Sequence, residues 1–66
     1  MILDEKKVLR KMDEEALTCV MLNEITGVAY KTIIKARNGR PISAQSARKI
    51  AEALKCEPKD LLQDNE

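Results

Sequence analysis

The residues best equipped for chemistry here are Lys31 and Lys35, four apart, with Tyr30 and Ile34 beside them in the stretch GVAYKTIIKARNG. An ammonium group brings three hydrogen-bond donors and a compact charge. It suits anionic oxygens and the O6 and N7 acceptors of a guanine edge. Lys31 falls in the first turn of a short helix, where the macrodipole disfavours a cation by up to about 1 kcal/mol. A local rule broken without visible gain points to function. Elsewhere the chain has no histidine, no convergent pair of acids and no phosphate-cradling loop. The two cysteines alone cannot supply the usual four-ligand zinc site. The expectation is a protein with no catalytic residues, no metal and no cofactor.

The distribution of charge says more than its sum. The net charge is only +1, but residues 25–51 hold six bases (Lys31, Lys35, Arg37, Arg40, Arg48, Lys49) and no acid. Residues 1–24 carry six acids against four bases, and residues 52–66 five against two. A basic middle between acidic ends gives a molecule one face suited to a polyanion.

Five short helical segments position these groups. The first, about Leu3 to Glu14, places Val8, Leu9 and Met12 on one side. Thr18 suits the N-cap of a second, in which Leu22 and Ile25 are three apart and after which Gly27 can take a positive φ. The third runs from Tyr30 to Arg37, roughly 12 Å at 1.5 Å per residue, with Asn38-Gly39 as its stop. Around it Ala29, Ile33 and Ala36 share one face, and Tyr30, Lys31, Ile34 and Lys35 the opposite one. Ser43 suits the N-cap of a fourth segment, where Ala47, Ile50, Ala51 and Leu54 form the clearest amphipathic stripe, and Lys55-Cys56 breaks it. Pro58 suits the first turn of a fifth, carrying Leu61 and Leu62. Two helices joined by the turn Thr26-Gly27-Val28-Ala29 suggest a helix-turn-helix over about residues 18–37.

Sixty-six residues make one domain, 1–66, with no room for a small-molecule effector domain. Its polar last few residues are expected to fray. Tyr30 is the only aromatic, so the core must be aliphatic. No signal peptide or membrane-length apolar run is visible, which reads as cytoplasmic with Cys19 and Cys56 as reduced thiols.

From Leu17 to Leu62 the sequence resembles the lambda-repressor/Cro-type helix-turn-helix family of small bacterial and phage transcription regulators. The features that carry the likeness are Gly27-Val28 at the turn, Ile33 and Ala36 inside the second helix, and Asn38-Gly39 after it. The spacing to Ser43, to the Ala51/Leu54 helix and to Asp60-Leu61-Leu62 also fits. The resemblance implies an all-α, compact five-helix domain that binds double-stranded DNA, with its third helix in the major groove and its second across the backbone. By position, Tyr30, Lys31, Ile34 and Lys35 would read bases. Thr18, Cys19, Thr32, Asn38, Gly39 and Arg40 would touch phosphates, with Arg37 a peripheral candidate.

The chain departs from the family at four places. Cys19 stands where glutamine is frequent. Asn23 replaces a usual alanine and needs a hydrogen-bond partner if buried. Ala29 stands where serine or threonine often caps the recognition helix. Arg37 replaces a common glutamate, so a salt bridge to the first helix would have reversed sign, to Asp13 or Glu14.

The expected role is a transcriptional repressor that binds as a homodimer on a two-fold symmetric site, with Leu61, Leu62 or Ile2-Leu3 at its seam. The competing reading is a protein-interaction module, such as an antitoxin, antirepressor or assembly factor, that keeps the fold without specific DNA binding. RNA is a poorer fit, because aromatic stacking residues are almost absent.

Overall fold

The computed structural model describes residues 1–62, so the expected fraying of the tail falls on 63–66, outside the described residues. Four α-helices follow one another: α1 (Glu5–Glu14), α2 (Cys19–Thr26), α3 (Tyr30–Arg37) and α4 (Ala44–Ala53). The expected fifth helix is a single 3₁₀ turn, Pro58–Leu61. Leu62 leaves it in an extended conformation to bridge Leu3, which ends the turn after four residues.

Local chemistry explains most helix boundaries. The Asp4 carboxylate accepts from the backbone N–H groups of Lys6 (2.8 Å) and Lys7 (3.2 Å), which starts α1 two residues later than Leu3. Thr18 and Ser43 accept from Met21 N–H (3.2 Å) and Ser46 N–H (3.1 Å), capping α2 and α4. At the C-terminal ends the chain repeatedly closes with a left-handed residue and paired back-bonds. After α3, Gly39 (φ 74°) donates to Ala36 O and Arg40 N–H to Lys35 O at 2.8 Å. Ala16 (φ 54°) and Lys55 (φ 59°) occupy the same position after α1 and α4, without glycine's freedom.

The core is aliphatic, as the lack of aromatics requires. Val8, Leu22, Ile33, Ile50, Leu54 and Leu61 are fully buried, and among the described residues no polar side chain is buried with them. Each such side chain contributes roughly 1.5–3 kcal/mol by leaving water. All four stripe residues of α4 are buried. Leu9 and Ile25 are not: Ile25 is 60% exposed and Leu9 38%, because α1 and α2 each turn only a narrow strip toward the core.

The first residues stitch distant parts together. Ile2 bridges Pro41, Ile42 N–H donates to Met1 O at 2.8 Å, and Asp4 N–H donates to Leu61 O at 2.6 Å. Lys7 Nζ donates to Leu62 O at 2.9 Å. Leu3 and Leu61 are therefore spent inside the protomer, fully buried, and are not free to form a seam with a second copy.

Candidate nucleic-acid interface

The turn between α2 and α3 is wired from both sides. Gly27 takes φ 74° and donates to Asn23 O at 3.0 Å. Val28 N–H donates to Thr26 Oγ1 at 3.1 Å while its side chain plugs the core. Asn23, half-buried rather than buried, still finds a partner: its Nδ2 donates to Val28 O at 2.7 Å. The residue that departs from the family therefore clamps the turn it belongs to.

Ile33 and Ala36 anchor α3 in the core, and this orientation leaves Lys31 and Lys35 exposed on its outer side. Tyr30 is 49% exposed at the helix start. Ile34 differs from the expectation of an outward apolar residue. It is half-buried and packs against the edge of the core, so only part of its surface faces outward. α3 has no side-chain cap, since Ala29 supplies none, and no acid in its first turn.

The other candidate residues ring this helix. Asn38 and Arg40 are exposed on the loop that Gly39 turns. Thr32 is half-buried and lines a groove of about 340 Å³ with Lys35, Pro41, Ile42, Ser43 and Ser46. Ser43 and Ser46 had no sequence signal beyond helix capping, and only the return of the loop places them beside Lys35. At the opposite flank, exposed Thr18 begins α2. Cys19 is only 7% exposed, so its side chain cannot reach a phosphate; as the first residue of α2 it has no bond on its backbone N–H among the described residues.

Arg37 does not form the salt bridge expected with Asp13 or Glu14. Its Nη1 instead points to Cys19 Sγ at 4.0 Å, and Glu14 pairs with Lys11 at 3.4 Å. The α3 terminus faces the start of α2, where no carboxylate lies within ion-pair distance. More broadly, the ion pairs among the described residues are Lys11–Glu14, Lys55–Glu15 and Lys59–Glu57. None involves Lys31, Lys35, Arg37 or Arg40. Among the described residues, the cations of α3 and its exit loop thus have no carboxylate within 4.0 Å.

An uncapped short helix, held from behind by aliphatic side chains and bearing unneutralised lysines, can present donors to an anionic polymer. The family model of the Cro/C1-type HTH DNA-binding domain matches residues 7–66. The chain belongs to that family. No curated protein and no solved structure matches it. As a Cro/C1-type domain the chain is all-α and has DNA as its partner, and the family is typically non-enzymatic. In this Cro/C1-type domain α2 and α3 both lie inside the matched stretch. No helix among the described residues is long and apolar enough to cross a membrane. Among the described residues, no three or more acids and cysteines gather into a group that could hold a metal.

Proposed function

We propose that the chain is a cytoplasmic, sequence-specific regulator that reads duplex DNA with α3 in the major groove. Lys31 and Lys35 take acceptors on base edges, Tyr30 offers its hydroxyl, and the exposed part of Ile34 packs on a thymine methyl. Thr18, Thr32, Asn38, Arg40 and the backbone N–H of Cys19 grip flanking phosphates, whereas the Gly39 N–H is spent on Ala36 O and Gly39 serves the loop by its turn. The observation that carries this reading is the set of unpaired cations on one face of α3 and its loop.

A helix this short makes few base contacts, each worth about 1–3 kcal/mol of discrimination. Useful specificity then calls for two copies on a two-fold symmetric site, roughly 34 Å apart. Ile2 and Leu62, which keep exposed surface, remain available for that contact. Such a homodimer acts as a repressor by occupying its site. Titration of a duplex at several salt concentrations tests the reading: several phosphate contacts give a steep loss of affinity with salt. A flat dependence removes it. Sedimentation on and off the duplex tests the dimer, and a 1:1 complex on every duplex sinks that part alone.

One observation favours a protein-interaction module instead. Leu9, Val20 and Tyr30, from three helices, are exposed around a shared concavity of about 350 Å³. The same salt titration separates the two readings, since a module of this kind shows no steep dependence on any duplex.

A further inference from the structure

Arg37 is left without a purpose by the contacts it makes. It is exposed, and among the described residues its one polar contact is to a thiol sulfur at 4.0 Å, a weak and distant acceptor. The rest of its five guanidinium N–H donors face water and are open to a ligand. Asp13 lines the same concavity but forms no ion pair with Arg37 within 4.0 Å. The concavity also holds the Tyr30 and Thr18 side chains, both already placed on the DNA face. Cys19, which stands in this corner, offers no side-chain donor because it is buried.

We infer that Arg37 holds a backbone phosphate of the DNA at the corner where α2 begins, supplying from the end of α3 the side-chain donor that buried Cys19 lacks. The inference rests on the DNA reading above and adds to it a residue and a role. A planar guanidinium fork suits two oxygens of one phosphate. The Cys19 sulfur serves as the surface against which the fork is laid, and the absence of a neutralising carboxylate leaves the charge for the ligand. Because phosphate contacts position rather than specify, Arg37 raises affinity for every sequence alike.

The test compares the wild type with Arg37→Gln, Arg37→Lys and Asp13→Asn on one fixed duplex and on a random-sequence duplex, from 50 to 200 mM salt. Arg37→Gln should reduce the slope of log affinity against log salt by about 0.9, which makes the affinity drop over that range about 3-fold smaller. It should leave the ratio between the two duplexes unchanged. Arg37→Lys should keep the slope and lose part of the affinity. Asp13→Asn should not weaken binding. Replacing phosphates singly with methylphosphonates should reveal one position that matters to the wild type and not to Arg37→Gln. An unchanged slope in Arg37→Gln overturns the inference while leaving the DNA reading intact. Asp13→Asn reproducing the Arg37→Gln loss also overturns it, by showing an internal ion pair. A flat slope in the wild type overturns both. Melting of each variant confirms that the exposed substitutions leave the fold in place.

Discussion

Ala29 begins α3 without a side-chain hydrogen bond, yet its backbone is already in a capping conformation. Its φ of −55° and ψ of 140° resemble those of Ser43, at −70° and 155°, whose hydroxyl does cap α4. Ala29 is exposed, so a hydroxyl added there meets water rather than the core. Ala29→Ser should therefore stabilise the fold. A cap is typically worth about 1 kcal/mol. Here Thr32 N–H already donates to Ala29 O at 2.9 Å, which shares the donor a serine would use. We take the lower part of the range, about 0.5–1 kcal/mol. For a domain of this size that is roughly 2–8 °C in Tm. The reverse change, Ser43→Ala, should lower stability by about 1 kcal/mol through loss of the Ser46 N–H bond. Thermal melts followed by circular dichroism read both. If Ser43→Ala behaves as expected but Ala29→Ser leaves Tm unchanged or lower, the start of α3 is not shaped as described.

Further outcomes follow from other parts of the fold. Ala16→Gly relieves a left-handed residue after α1, where a side chain costs roughly 1–2 kcal/mol, partly offset by glycine's greater freedom when unfolded. A net rise in Tm is expected, and a fall would mean that Ala16 is unstrained. Gly27→Ala should cost about 1 kcal/mol from backbone alone, because an added Cβ meets nothing within 4 Å. A larger loss in urea unfolding would contradict that. Leu54→Ala, at a fully buried site, should cost about 2–5 kcal/mol and abolish most helical signal at 25 °C. A well-folded variant would refute the packing. Burial pushes the Cys56 thiol up, against Lys11 and with help from Asp60 and Glu15, so Cys56 should alkylate slowly at pH 8. Its contribution to stability is present below pH 9.0, the ordinary thiol value, and lost as pH rises through the raised one. Fast alkylation of the native protein would rule this out.

What the sequence made legible was mostly local. Thr18 and Ser43 cap helices because their hydroxyls act within three residues, and Gly27 and Gly39 take the left-handed conformation that their own backbones permit. The α4 stripe could be read because one face of that helix is covered along its whole length. Ile25 and Leu9 show the limit of periodicity. Spacing marks a face, but not how wide a strip of it the neighbouring helices cover. Periodicity extends α1 back to about Leu3, whereas the place of Leu3 is decided by its bridge to Leu62, fifty-nine positions away in the chain. On α3, the exposure of Lys31 and Lys35 was legible from charge and period. The partner of Arg37 was not, because it depends on how the end of α3 meets the start of α2. Nor was the half-burial of Ile34, which is set by the core edge it packs against.

The most direct test of the central claim is selection of bound duplexes from a randomised library, run beside a Lys31→Ala/Lys35→Ala double variant. Both lysines are exposed, so the variant should fold. The expected result is enrichment of a two-fold symmetric motif by the wild type and its loss in the variant. No duplex retained by the wild type even at low salt would contradict the account and move the basic helix to the service of a protein partner.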